Sequence, residues 1–329
     1  MTSMLKRLLA GEDLTEAEAG ALMAAMADGE VPDALAGALL VALRMKGECA
    51  AEVRGFARMM RQRAVKPDLP PTTRTMVDIV GTGGDGSGSL NLSTTAAILS
   101  AAAGLGVAKH GNRAVSSRSG SADVLEALGM PLGQDEGAIF AATGFCFLFA
   151  RSHHPSMKRI APVRAALGVR TVFNLLGPIT NPVAPPYLVI GAYSASVARL
   201  LAEALMEMPI VRAFVIHGAL GWDEPTPVGP FLRFDVRPGS LMEQVVDPLE
   251  VYGIARCEAA DLKGGSAEDN AAAIRSICAG TPGPALDAAV LGAAQALEVT
   301  GMSAIDAVAA VRAAITDGRA QAVLDGMVR

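Results

Sequence analysis

Aromatic residues are scarce. Phe, Trp and Tyr together make up 4% of the 329 residues, and Trp222 is the only tryptophan, so any core must be aliphatic and alanine-rich. Charge is also sparse, at 19% against 51% hydrophobic residues, which excludes intrinsic disorder. There is no basic surplus. Lys and Arg number 28 against 33 Asp and Glu, a net charge of −5, and a general nucleic-acid binder would show the opposite balance. Long apolar runs are missing as well. Of two charge-free stretches, Gly86–Ala108 carries Ser, Thr and Asn through its first half, and Thr171–Ala198 is broken by Pro178, Pro182, Pro185 and Pro186. Neither forms the run of about 20 apolar residues that a membrane span needs. Met1–Glu12 holds Lys6, Arg7 and Glu12 and lacks the apolar stretch of a signal sequence. The four cysteines (Cys49, Cys146, Cys257 and Cys278) are scattered with no CxxC, as expected of free thiols in a reducing compartment. The expectation is a soluble, cytoplasmic, globular protein of about two domains.

The first 65 or so residues read as helices. Thr15 followed by Glu18 is a capping-box pattern, opening a helix that Asp28-Gly29 ends. Pro32 opens another, with Leu35, Leu39, Leu40 and Leu43 at helical spacing and Gly47 at its end. A third runs from about Ala50 to Arg63. The breaker-rich Lys66-Pro67-Asp68-Leu69-Pro70-Pro71 follows and marks a boundary. Beyond it, β-type runs at Met76–Val80, Gly106–Ala108, Phe145–Phe149, Tyr187–Gly191, Ala213–His217 and Phe231–Val236 alternate with helical patterns such as Thr94–Ala103, Ser121–Leu128 and Ser194–Met206. That alternation predicts an α/β layer on a mainly parallel sheet. From about Ser266 to Met327 the chain is again alanine-rich and helical, and no fixed-period repeat occurs. The fold class is therefore α/β: a small all-helical domain at 1–71, and at 72–329 a larger domain with a mainly parallel central sheet flanked by helices.

Two segments carry chemistry. Asp78-Ile79-Val80 leads into Gly81-Thr82-Gly83-Gly84-Asp85-Gly86-Ser87-Gly88-Ser89, and Asn91-Leu92-Ser93-Thr94-Thr95 then opens a helix. Glycines let backbone approach a ligand closely, and helix N-terminal N–H groups bind anions. Gly81, Gly83 and Gly86 satisfy G-x-G-x-x-G, but the helix starts too late for a dinucleotide fingerprint and the next strand leads into Lys109 rather than an acid. The Gly-Lys-Ser/Thr of a Walker A loop is absent. The second segment, Lys109 to Ser121, holds Lys109, His110, Arg113 and Arg118 with no acid, a local positive island. Ligands in α/β sheets bind at the carboxyl ends of parallel strands, and adjacent strands would bring both segments to one cleft able to hold several phosphates.

These residues, with Lys109-His110-Gly111-Asn112-Arg113, Ser119-Gly120-Ser121-Ala122-Asp123, His154-Pro155-Ser156-Met157-Lys158, Pro162-Val163-Arg164, Arg170–Pro178, Thr180-Asn181-Pro182, Asp223-Glu224, Lys263-Gly264-Gly265 and Asn270-Ala271, closely resemble the anthranilate phosphoribosyltransferases over essentially the whole chain. The resemblance implies a hinge cleft between a helical and an α/β domain, a homodimer formed through the helices, and segments near 155–175 packing with the helical domain. It also implies Mg2+-dependent transfer of phosphoribose from 5-phosphoribosyl 1-diphosphate to the amine of anthranilate. Gly81, Gly84, Asp85, Ser89, Asn91, Ser93, Thr94, Lys109, Asn112, Arg113, Ser117 and Ser121 match contacts to phosphoribosyl diphosphate. Ser93, Asp223 and Glu224 match metal ligands. Gly81, Asn112, His110, His154, Arg164, Gly177 and Pro178 match the anthranilate site, with Arg164 suited to bind a carboxylate in bidentate fashion. No general base is assigned, because an aromatic amine is already nucleophilic; His110 is the one candidate. Departures from the usual pattern are Arg118 in place of Lys, Pro225 directly after the acids, and Gly292 where Asn is common. Two rivals stand beside this reading. For a pyrimidine nucleoside phosphorylase, the Gly-Thr-Gly-Gly-Asp and Lys-His-Gly-Asn-Arg forms with Asp223-Glu224 speak against. For a non-catalytic nucleic-acid-binding relative, Asn112, Arg164 and the net acidic charge do.

Overall fold

The computed structural model describes residues 1–113 and 118–328. Four helices lead the chain: Thr2–Leu9, Glu16–Asp28, Asp33–Lys46 and Ala50–Gln62. The expected capping box forms at the second. Thr15 Oγ1 accepts from Glu18 N at 3.2 Å, and Thr15 N donates to the Glu18 carboxylate at 2.8 Å. Gly29 closes that helix in the left-handed region, φ +74°. The first helix, with Lys6 and Arg7 in its last turn, is the one not singled out above.

Seven strands form one sheet: β1 Met76–Gly81, β2 Gly106–Gly111, β3 Phe145–Phe149, β4 Tyr187–Gly191, β5 Arg212–His217, β6 Phe231–Arg237 and β7 Ser240–Val246. Their order is β3-β2-β1-β4-β5-β6-β7; β1 to β5 run parallel, and β6 and β7 are antiparallel. The sequence reading lacked β7. It is an edge strand whose Glu243 and Gln244 break the apolar pattern, and it is held by a two-residue Pro238-Gly239 turn with Gly239 at φ +70°.

Side-chain alternation along the strands builds two cores. Val77, Ile79, Val189, Phe214 and Ile216 face one side, where the helix Leu92–Ala102 and the C-terminal helices from Ala267 onward pack. Val80, Leu188, Ile190, Ala213 and Val215 face the other, sharing a continuous core with Leu22, Leu39, Leu43 and Phe56 of the N-terminal helices. Ile160 and Val163 of the helix Met157–Leu167 join that second core, and this helix packs on Glu16–Asp28 and Asp33–Lys46. The strand order reverses between β1 and β4. That makes their carboxyl ends the topological switch point, where a crevice opens. Among the described residues, no helix is long and apolar enough to cross a membrane.

Candidate active site

The crevice at the switch point is made by glycine. Gly81 and Gly191 end β1 and β4 and are partners in the parallel register. The segment Trp222–Glu224, reached from the end of β5, crosses directly over them. A Cβ at Gly81 would stand 2.4 Å from Asp223 Oδ2, and one at Gly191 would stand 1.6 Å from the Asp223 carbonyl oxygen. Gly218 plays the same part below Glu224, whose carbonyl oxygen lies 2.1 Å from where its Cβ would be. At Gly191 and Gly218 the obstacle is backbone, so no side chain fits; at Gly81 it is the Asp223 carboxylate, which a Cβ would displace. The three glycines let two acids enter the end of a parallel sheet.

The glycine loop then wraps the acids. Gly83, Gly84, Gly86 and Gly88 all have φ between +62° and +76°, where other residues are strained. Gly83 N donates to Asp223 Oδ2 at 2.6 Å, and Asp223 N donates to Asp85 Oδ2 at 3.2 Å. Asp85 also accepts from Ser87 N and Ser87 Oγ, at 3.0 and 2.9 Å, which fixes the loop's turn. At the N-terminus of the helix Leu92–Ala102, Ser93 N donates to Glu224 Oε1 at 3.1 Å. Lys109, 2% exposed, donates to Ile79 O at 2.5 Å and to Ser93 Oγ at 3.3 Å. Ser93, Asp223 and Glu224 thus line one small cavity, together with Gly191, Pro225 and Gly292. Gly292 is required by packing, since a Cβ there would meet Ala96 Cβ at 2.9 Å.

Electrostatics at this cavity are unbalanced. Burial, then the neighbouring Asp85, pushes the Asp223 carboxyl up; burial, then Asp223, pushes Glu224 up. Among the described residues Lys109 is the one buried cation facing them, and burial lowers its own pKa against the pull of Asp78, Glu224 and Asp223. Converging carboxylates and a Ser hydroxyl are hard oxygen donors, the set a divalent cation such as Mg2+ prefers. A cation would offset the carboxylate repulsion that adds to burial in raising both acids.

Of the other expected residues, Thr94 is buried with its Oγ1 unpartnered, next to Ser93 at the helix start. Ser89 bridges to Lys263 and accepts from Ser87 Oγ at 3.2 Å. Asn91 is braced on both sides: Nδ2 donates to Ser119 O at 3.2 Å and Oδ1 accepts from Asn270 Nδ2 at 2.8 Å. Ser121 Oγ donates to Asn112 O at 3.2 Å, which brings the start of the helix Ser121–Leu128 against the end of β2. Arg113 is placed differently from the rest. Its guanidinium pairs with Asp123 at 2.9 Å and Glu126 at 2.5 Å, so acids from the following helix, Ser121–Leu128, offset part of the island that lacks acids of its own. Ser117 lies outside the described residues.

A second group faces the cleft from the other side. His110 Nδ1 donates to Gly177 O at 2.9 Å, which leaves Nε2 as a buried, unpartnered acceptor. The ring stands 5.1 Å from that of His154, also buried with both nitrogens unpartnered. Burial pushes His110 down to about 3 and His154 to about 4, so both are neutral. Pro178 is buried in the turn Gly177–Ile179. Arg164 is half-buried, with Cζ 5.3 Å from the Phe173 ring centre and no carboxylate partner among the described residues. His217 ends β5 and pairs with Ala192 O at 2.9 Å, as a strand-ending residue would.

Several supporting residues were not singled out for a role above. Asp78, fully buried, accepts from His110 N at 3.2 Å and from Asn181 Nδ2 at 2.8 Å, and Asn181 also donates to Ala108 O at 2.7 Å. Together they hold the end of β2 against the 177–181 segment. A polar residue in the middle of an apolar strand was the available signal. Gly191 and Gly218 had a weaker one, a glycine at the carboxyl end of a strand.

Residues 73–321 match the glycosyl transferase family, a/b domain, and residues 2–64 match the same family's helical bundle domain. The chain is 49% identical over 313 residues to the anthranilate phosphoribosyltransferase of Desulforudis audaxviator, covering 94% of this chain and 89% of the relative. The crystal structure of the Thermus thermophilus enzyme of that name superposes with a TM-score of 0.90 at 44% identity, over 99% of this chain and 98% of that one. The Saccharomyces cerevisiae enzyme, solved in complex with PRPP (phosphoribosyl diphosphate) and Mg, shares the fold with a TM-score of 0.88 at 24% identity, over 99% and 96% of the two chains.

Proposed function

The chain belongs to the glycosyl transferase family, and within it to the anthranilate phosphoribosyltransferases; from that premise we propose how its own residues carry the reaction. It transfers the phosphoribosyl group from 5-phosphoribosyl 1-diphosphate to the amine of anthranilate, a step of tryptophan biosynthesis that releases diphosphate. The observation that carries the site assignment is the placing of Asp223 and Glu224 over the paired Gly81 and Gly191, against the N-terminus of a helix and Lys109.

The diphosphate is received by the backbone of Gly81–Ser89, by Ser93 and Thr94 at the helix start, and by Lys109, with Asn91, Asn112, Arg113, Ser117 and Ser121 around the ribose and phosphate. Helix N–H groups and a buried ammonium favour the charge that grows on the leaving group. Ser93, Asp223 and Glu224 would hold Mg2+, which when bound neutralises diphosphate charge. The donor set fits it, and the yeast relative's complex with PRPP and Mg supports it. On the other side Arg164 takes the anthranilate carboxylate, a charge-assisted contact; among the described residues its guanidinium meets the Phe173 ring and no carboxylate. Gly81, Asn112, His110, His154, Gly177 and Pro178 enclose the ring. His110, near pKa 3, is a weak base, and its unpartnered Nε2 offers a lone pair to a substrate N–H rather than storing a proton. Catalysis rests on orienting a free amine and stabilising charge.

Residues 1–71 with the helix Met157–Leu167 form the helical domain, supported by their shared core, and 72–329 form the transferase domain. The protein is a homodimer through those helices, which expose Met45 at 81% and Leu9 at 70%. A cytoplasmic location agrees with four free cysteines.

The test is loss of anthranilate fluorescence with PRPP and MgCl2. The wild type should need all three components. Arg164→Ala should raise the KM for anthranilate by about 10- to 100-fold, the worth of a hydrogen bond to a charged group, and leave the KM for PRPP nearly unchanged. Asp223→Asn with Glu224→Gln should abolish turnover. An Arg164→Ala enzyme with wild-type anthranilate KM would overturn the acceptor assignment.

A further inference from the structure

Arg170 lies between the helix Met157–Leu167 and the short helix Phe173–Leu176, and none of the roles above uses it. Its Nη2 donates to Gly84 O in the middle of the glycine loop. Its guanidinium carbon lies 4.0 Å from the ring centre of Tyr193, just beyond β4. Tyr193 N in turn donates to Thr82 Oγ1 at 3.2 Å, so the stacking partner is itself tied to the loop. The backbone carbonyl of Arg170 accepts from Nη1 of Arg44, on the helix Asp33–Lys46, at 2.8 Å. One residue therefore touches the N-terminal helices, the glycine loop and the segment after β4. The approach is close: a Cβ at Gly84 would stand 2.9 Å from Arg170 Nη2. Among the described residues, Arg170 has no carboxylate partner.

A loop with four glycines at positive φ has a large conformational entropy to lose when it closes on a ligand. Whatever holds it in the receiving shape beforehand raises affinity without touching the ligand. Arginine suits this work because its planar fork donates along one edge while its face stacks on a ring, and lysine cannot do both.

We propose that Arg170 is a positioning residue that latches the glycine loop in its diphosphate-receiving shape and, through Arg44, ties that shape to the N-terminal helices. The proposal rests on the reading of Gly81–Ser89 as the diphosphate site.

The experiment pairs steady-state kinetics with hydrogen–deuterium exchange on the full-length protein. Arg170→Ala should raise the KM for PRPP about tenfold through lost pre-organisation, with kcat and the anthranilate KM within about twofold of wild type. Amides of residues 82–89 should exchange faster in the ligand-free variant than in ligand-free wild type, with Tm unchanged. Tyr193→Leu, which removes the stacking face from the opposite side, should move both readouts the same way. Arg170→Lys should recover part of the PRPP affinity. Wild-type KM and wild-type exchange at 82–89 in Arg170→Ala would overturn the latch, as would a fall in kcat and Tm together in both Arg170→Ala and Tyr193→Leu. In the wild type alone, PRPP must slow exchange at 82–89. If it does not, the diphosphate assignment itself fails, and the latch falls with it.

Discussion

At Gly191 one methyl group would stand 1.6 Å from a backbone oxygen of Asp223, a contact no rotamer change relieves. Gly191→Ala should therefore push the Trp222–Glu224 segment off the sheet end. We expect it to lower stability by about 1–3 kcal/mol, as overpacking does, and to reduce kcat/KM by far more than that loss alone explains. Thermal melts with turnover assays check this, and an active, unperturbed Gly191→Ala enzyme would contradict it. The neutral histidines make a second prediction at this scale. Burial lowers His110 to about 3 and His154 to about 4, against about 6.5 in the unfolded chain. On acidification the unfolded chain takes up protons first, so stability is present above pH ~6.5 and is lost as the pH falls toward 4, by at most ~1.4 kcal/mol per pH unit for each group. Asp78, raised to about 6 by burial, acts with the opposite sign, losing stability as the pH rises through that value. It is common to wild type and variant and cancels in the comparison. Urea unfolding at pH 7 and pH 5 should show a smaller acid loss for His154→Gln than for wild type, and equal losses would refute the buried-neutral reading.

Elements here owe their ends to local chemistry and their places to packing. Ser303 Oγ accepts from Asp306 N at 3.2 Å and caps the helix Ala304–Thr316, remote from the cleft. Ser303→Ala should cost about 1 kcal/mol of stability and leave both KM values unchanged. A change in either KM would mean that the C-terminal helices communicate with the site. The helix Leu92–Ala102 serves two ends at once. Its first turn meets Glu224, and Ala96 abuts Gly292 of the helix Pro284–Val299. The strand ends and that helix are therefore positioned by the same close packing that leaves the acid cavity open. Expectation and structure agree that six strands exist, because their apolar runs are strong. The second runs on to Gly111, so Lys109 and His110 belong to β2 itself rather than to the segment after it, their side chains buried against neighbouring elements. The seventh escaped because an edge strand with one neighbour needs no apolar run, and the Pro238-Gly239 turn was its only cue.

For the whole molecule, the sheet separates two cores, and one of them runs without a break from β1, β4 and β5 into the N-terminal helices. Those helices are therefore packed directly on the sheet face behind the site. If Met45 and Leu9 are covered by a second copy, light scattering should give twice the 33.7 kDa chain mass. Met45→Glu should shift the population toward monomer. A monomeric wild type at micromolar concentration would reject the dimer.

The amino-acid sequence alone determined what short-range rules govern. It set the Thr15–Glu18 cap, the alternation that makes β1 and β4 two-faced, and the glycine loop running into a Ser/Thr helix start, because each depends on residues within a few positions of one another. The tertiary structure decided what depends on residues far apart. Asp223 enters the crevice only because Gly81 and Gly191, more than a hundred residues apart in sequence, are neighbours in register. Arg113 turned to Asp123 and Glu126 because the next helix brought acids to its side. Arg170 acquired a role from three partners on three separate elements. Charge along a segment says what a side chain is able to bind, and only packing says what is there for it to meet.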